Sequence, residues 1–279
     1  MKQLLILLPL IAYTACAQTP VEKVSKTIRP GEVRWIEFPV QDSKNKLTCR
    51  GEEIKFAEQG NKGKAFVMES YFSNLKPFKC VVTSDGAATY EINFTVEDRE
   101  YPAEQLRVDS KTIRLSPEAE KRAWEEQQVL NRIYASSERT FHFTQPFIPP
   151  LNSTVTSIYG TKRVYNKKKK GQHLGIDYRA AIGDKIPAAN SGKVVFAGDL
   201  FYTGWTVILD HGMDIFTVYG HLSKTLVKEG EMVKRGQLIA LSGNTGRTSG
   251  PHLHWGVKVQ GQYIDGFVLV DETKKYFTE

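Results

Sequence analysis

Histidine is missing from the first half of this 279-residue chain. None of its six histidines precedes His142, and five of the six fall between residues 173 and 254. Chemistry that needs imidazole is therefore excluded from the N-terminal part and concentrated in the C-terminal half. Cysteine is scarce too, at Cys16, Cys49 and Cys80 only. None lies near the histidines, which excludes a cysteine-ligated metal site there. No apolar run is long enough for a permanent transmembrane anchor, and no internal period marks a repeat protein. The net charge of +7 favours anionic partners, but no recognised nucleic-acid-binding module accompanies it. Nucleic acid is therefore not the expected partner. A content of 41% hydrophobic and 25% charged residues excludes wholesale disorder, and the length suits two domains.

The chain opens MKQLLILLPLIAYTACAQTP. Lys2, the short apolar run Leu4 to Ala12, and the small residues Ala15 and Ala17 read as a secretory signal peptide spanning 1–17. Cleavage after Ala17 leaves Gln18 first. Cys16 offers a second outcome, lipidation, although Tyr13 stands where bacterial lipoproteins usually carry Leu. In an oxidising compartment Cys49 and Cys80 form an even pair, either a disulfide or two buried thiols.

Within an N-terminal β domain, 18–105, the pattern alternates with period two from about residue 25 to 100. Ile36, Phe38 and Val40 share a face, as do Ile54 and Phe56, then Phe78, Cys80 and Val82, then Tyr90, Ile92, Phe94 and Val96. Turn signals at Pro30-Gly31, Gly60-Asn61 and Asp85-Gly86 separate the runs. The pattern predicts a small antiparallel β-sandwich, and a Cys49–Cys80 bond would staple two of its strands. Residues 106–145 hold a linking helix. Ser116 is its N-cap, Pro117 its first residue, and Glu118 and Glu120 complement its positive end. Ala123, Leu130, Ile133 and Tyr134 make a modest apolar face.

Pro146, Pro149 and Pro150 mark a boundary, and 146–279 is a glycine-punctuated β-rich domain. The fold class is thus mainly β. Strands are expected at Val194–Phe196, Thr206–Leu209, Ile215–Tyr219 and Leu238–Leu241.

Two short stretches of this domain carry metal-binding residue types. One is GQHLGIDYRA, with His173 and Asp177; the other is GPHLHWGVKV, with His252 and His254. Leu253, Trp255 and Val257 alternate with the histidines, so His252 and His254 share one face of a strand. A catalytic zinc takes three protein ligands and keeps one position open. Spacing leaves four candidates for three places. A third stretch, TVYGHLS, adds His221, an imidazole able to move a proton or stabilise an oxyanion. His142 and His211 read as structural. Tyr202, Trp205 and Trp255 either line a cleft or pack, and Asn244-Thr245-Gly246 reads as a tight turn. Lys167 to Lys170 form either a solvated loop or a basic lip on the cleft.

Residues 146–270 resemble the lysostaphin-type, or LytM-like, zinc peptidases. The matching stretches run in the family's order: SIYGTKR (157–163), HLGID (173–177), IPAANSGKVVFAG (186–198), LDHG (209–212), YGHLS (219–223), VKRGQLIALSGNTG (233–246) and SGPHLHWGV (249–257). The resemblance implies a secreted or periplasmic, wall-associated endopeptidase acting on peptidoglycan stem peptides or cross-bridges. It implies Zn2+ held by His173, Asp177 and His254. It implies His221 and His252 as the pair that activates water or stabilises the transition state. Some relatives have lost these residues and only regulate other wall hydrolases, which gives a wall-binding regulator as the alternative. All five positions are filled here.

Overall fold

The computed structural model describes residues 21–41, 44–106, 115–166 and 169–278. The signal segment, including Cys16, and Lys167 and Lys168 lie outside the described residues. Among the described residues, no helix is long and apolar enough to cross a membrane.

Two sheets face each other in the N-terminal module. One has five strands, in the order Glu22–Ile28, Ala87–Val96, Phe78–Ser84, Lys46–Cys49 and Glu52–Ile54. The other has three, in the order Val33–Pro39, Lys62–Met68 and Ala57–Gln59. The expected alternation is present: Ile36, Phe38, Cys80, Val82, Ile92 and Phe94 all turn into one core between the sheets. Pairing is antiparallel apart from Glu22–Ile28, which runs parallel to Ala87–Val96. Cys49 and Cys80 are directly opposed in register and joined by a disulfide that ties strands 31 residues apart.

Val33–Pro39 and Lys62–Met68 of the three-stranded sheet carry buried residues on both faces. While Ile36 and Phe38 fill the sandwich, Val33 and Trp35 of the same strand point the other way and join the core of the C-terminal half. The C-terminal helix, Gly266–Thr278, packs on this outer face. The Trp35 ring meets Tyr276 edge-on at 5.3 Å, and the Trp35 backbone N–H donates to the buried Glu272 carboxylate at 3.0 Å. The two halves therefore share a continuous hydrophobic core.

The C-terminal half is built on a ten-stranded antiparallel sheet. Its main path runs Val155–Ser157, Ile176–Arg179, His252–Val259, Ile215–Thr225, Gly204–Asp210, Gly192–Leu200 and Met232–Val233. The four strands expected from the sequence lie within this sheet. The helix Pro117–Tyr134 is capped as expected, with the Ser116 side chain accepting from Ala119 N–H. It is more than a bridge: Leu130 and Tyr134 pack on Ile208, Phe216 and Val218 of the sheet.

A small three-stranded sheet sits beside the large one. Lys169–Gln172 pairs with Lys162–Tyr165, which pairs in parallel with Ala103–Leu106 from the N-terminal side. Half of the lysine run is thus a strand, not a loop. Backbone pairing to Lys162–Tyr165 supplies the order that its charge pattern does not advertise.

Candidate metal centre

Asp177 and His254 are cross-strand partners on Ile176–Arg179 and His252–Val259. Directly opposed residues on neighbouring antiparallel strands project to the same face. Two residues along, His252 shares that face, while Leu253 and Trp255 are fully buried on the other. Trp255 is therefore a core residue, whereas Tyr202 and Trp205 are solvent-exposed. His173 follows the strand Lys169–Gln172 and reaches the same point from the side.

Three donor atoms converge there. Nε2 of His173 lies 2.9 Å from Oδ1 of Asp177 and 3.2 Å from Nδ1 of His254, and Nδ1 of His254 lies 2.8 Å from the same Oδ1. Tetrahedral zinc with bonds of about 2.0–2.1 Å spaces its ligand atoms about 3.3 Å apart, so this cluster has the right size and donor chemistry for that ion. His173 and Asp177 are buried and His254 half-buried. Gly175 leaves room for the His254 ring: a Cβ there would lie 2.6 Å from its Nε2.

The surrounding hydrogen bonds set the tautomers. A carbonyl can only accept, so Nδ1 of His173 carries its proton toward Ile158 O at 3.0 Å, which leaves Nε2 with a lone pair. The same reasoning applies to His221, whose Nδ1 faces Thr245 O at 2.8 Å, and to His252, whose Nδ1 faces Gly250 O at 2.8 Å. Both therefore keep Nε2 as the basic nitrogen. The His221 and His252 rings are 4.6 Å apart, and Nε2 of His252 is 3.6 Å from Asp177 Oδ1.

His221 occupies the left-handed region at φ 60°, unusual for a residue other than glycine and typical of strained functional positions. Its backbone N–H donates to Thr203 O at 2.6 Å, and its ring is held by the Asn244–Gly246 turn. Gly204, itself at positive φ, lets the two supporting loops touch; a Cβ there would run into Thr245 and Gly246.

Electrostatics separates the groups. Burial pushes the Asp177 carboxyl upward, but in the metal-free site its interactions with the His173 and His254 side chains outweigh it and hold the group well below the usual carboxylate range. Burial first, and then the neighbouring His254, push His221 down to about 4. His221 is thus neutral at physiological pH and free to accept a proton at Nε2.

All five residues singled out in the sequence meet at this one place. His211 does not: it is fully buried, with Nδ1 against Ser191 O and Nε2 against Thr217, and is structural as expected. Arg163 is not among the candidate site residues read from the sequence. Its Nη2 donates to Asp177 Oδ2 at 3.3 Å and to Ser157 Oγ at 3.1 Å. The available signal was its place at the end of SIYGTKR, the first of the family-like stretches.

Residues 171–266, which include all five site residues, match Peptidase family M23. The peptidoglycan DD-endopeptidase ShyA of Vibrio cholerae is 40% identical over 112 residues, covering 40% of this chain and 26% of ShyA. ShyB of the same organism, also a peptidoglycan DD-endopeptidase, is 43% identical over 93 residues, 33% of this chain and 22% of its own length. The chain therefore spans about a quarter of the curated relatives it matches. A crystal structure from Pseudomonas aeruginosa, provisionally described as a peptidase M23, superposes with a TM-score of 0.67 at 26% identity. It covers 87% of this chain and 95% of its own, so the likeness in fold includes the N-terminal module.

Proposed function

We propose, for a chain whose residues 171–266 belong to peptidase family M23, that it is a zinc metalloendopeptidase hydrolysing the peptide cross-links of bacterial peptidoglycan. One observation carries this reading. Three donor atoms converge from His173, Asp177 and His254, while two further imidazoles, His221 and His252, flank them with Nδ1 turned to a backbone carbonyl. A site that only bound wall polymer would have no use for this pair.

His173 through Nε2, Asp177 through Oδ1 and His254 through Nδ1 would hold the ion. When bound, zinc supplies Lewis acidity that lowers the pKa of water and polarises an amide carbonyl. His252 takes a proton at Nε2 as general base. Its Nδ1–H bond to Gly250 O fixes the ring and stabilises the imidazolium that forms. His221 assists from the other side, orienting water and donating toward the tetrahedral oxyanion once protonated. Its buried, desolvated setting makes that proton easy to release afterwards.

The substrate is assigned as peptidoglycan because the curated relatives are named for that activity. Action outside the cytoplasm, as a secreted or periplasmic wall-associated protein, agrees with the signal-like segment 1–17 and with the Cys49–Cys80 disulfide. A His173→Ala protein tests the assignment: it should lose both zinc and wall digestion. Stoichiometric zinc in the wild type with no peptide product from any wall type would favour the regulator instead.

A further inference from the structure

The segment Ser157–Arg163, just ahead of residues 171–266, touches the metal-site residues repeatedly. Gly160 N–H donates to His173 O at 2.7 Å, and His173 N–H donates to Thr161 O at 3.0 Å. Ile158 O accepts from the His173 ring, and Ser157 Oγ lies 3.1 Å from the same Nδ1. Arg163 reaches Asp177 through Oδ2, the oxygen that does not face the imidazoles.

The N-terminal module holds this segment in turn. Tyr71 donates its hydroxyl to Gly160 O at 3.1 Å, and a Cβ at Gly160 would collide with the Tyr101 ring. Lys162 N–H donates to Pro102 O at 2.8 Å, and the strand Ala103–Leu106 continues this pairing along Lys162–Tyr165. Glu104 is the register partner of Arg163, with Oε2 3.7 Å from the Arg163 Nε. That Nε is buried without a hydrogen bond, so Glu104 acts on it as a counter-charge.

We propose that Arg163 is a positioning residue for Asp177, and that the N-terminal module supports the metal site by holding Arg163 through Glu104 and the strand Ala103–Leu106. This rests on the zinc reading above. A carboxylate rotates freely about its last bond unless one oxygen is anchored. The Nη2 contact from Arg163 anchors Oδ2 and so keeps Oδ1 aimed at the two imidazole donors. The N-terminal module is then part of the machinery that sets metal affinity, not merely a neighbour sharing a core.

The test measures zinc affinity of the full chain by competition with a chelator of known affinity, for wild type, Arg163→Gln, Arg163→Lys, Glu104→Gln and the Glu104→Gln/Arg163→Gln double variant. Arg163→Gln should weaken zinc binding by about tenfold or more. Arg163→Lys should lose less, because it keeps the charge but not the planar fork. Glu104→Gln should lose about two- to fivefold in the wild-type background and nothing further beside Arg163→Gln. That lack of additivity is a signature that general destabilisation would not produce. Arg163→Gln binding zinc within twofold of wild type would overturn the proposal, as would a Glu104→Gln loss of equal size in both backgrounds. Wild-type protein that took up no zinc would overturn the underlying metal reading, and this proposal with it.

Discussion

Asp177 and His254 stand directly opposite each other on adjacent antiparallel strands, with Oδ1 and Nδ1 2.8 Å apart. Ladder register, rather than a flexible loop, sets this part of the donor geometry. The rings of His221 and His252 are fixed differently, by backbone carbonyls at Thr245 and Gly250, with Thr248 Oγ1 also 3.1 Å from Nδ1 of His252. Ladder register therefore places the Asp177 and His254 donors, whereas loop carbonyls orient the rings of His221 and His252, which themselves sit on strands.

That division of labour predicts two classes of variant. His221→Ala and His252→Ala should each keep stoichiometric zinc and lose activity by about 10²–10⁴-fold, the range of general acid–base catalysis. Asp177→Asn should lose zinc as well. Metal content by mass spectrometry beside the rate of wall digestion separates the classes. Loss of zinc in His252→Ala would move that residue into the ligand set.

Gly175→Ala changes no donor, yet its new Cβ would fall 2.6 Å from Nε2 of His254. The ring must swing away. Zinc affinity should drop by about tenfold or more, as when a supporting group is lost, while the far-UV circular dichroism stays that of wild type. Unchanged affinity would show that the ring has room to spare.

His211 gives a prediction about pH. Burial lowers its pKa to about 4 from 6.5. In the folded state it resists protonation, so the unfolded chain binds more protons between these values. Stability should fall as pH drops from about 6.5 to about 4, with His211 contributing on the order of 3 kcal/mol across that window. Urea denaturation at pH 7 and pH 4.5, in chelator, should show a smaller pH loss for His211→Gln than for wild type. Equal losses would mean that His211 is protonated without cost.

Trp35 tests the shared core. It is buried against Tyr276 of the C-terminal helix, and Trp35→Ala should cost about 3–5 kcal/mol. Because the core is continuous, calorimetry should show one transition moving down as a unit. Two separated transitions in the wild type would contradict that continuity.

Much of this was legible in the sequence because it is local. The period-two runs from Ile36 to Val96 named the inner faces of the sandwich, and the HLH pattern put His252 and His254 on one side of a strand. Trp35 was not legible: alternation shows which residues share a face, but not that the outer face of a strand will also be covered. The pairing of Asp177 with His254, 77 residues away, is a matter of long-range register. The roles of Thr245 and Ile158 fall to backbone carbonyls, which every residue has. The parallel course of Glu22–Ile28 and of Ala103–Leu106 left no trace in composition, since strand direction is set by the path of the connecting chain.

The account stands on hydrolysis at the His173–Asp177–His254 centre. Its most direct test is mass spectrometry of purified peptidoglycan digested by zinc-loaded wild type and by His173→Ala. New peptide termini at cross-links with the wild type, abolished in the variant, are the predicted result. Product release at the same rate from His173→Ala, or none from the zinc-loaded wild type on any wall type, would contradict it.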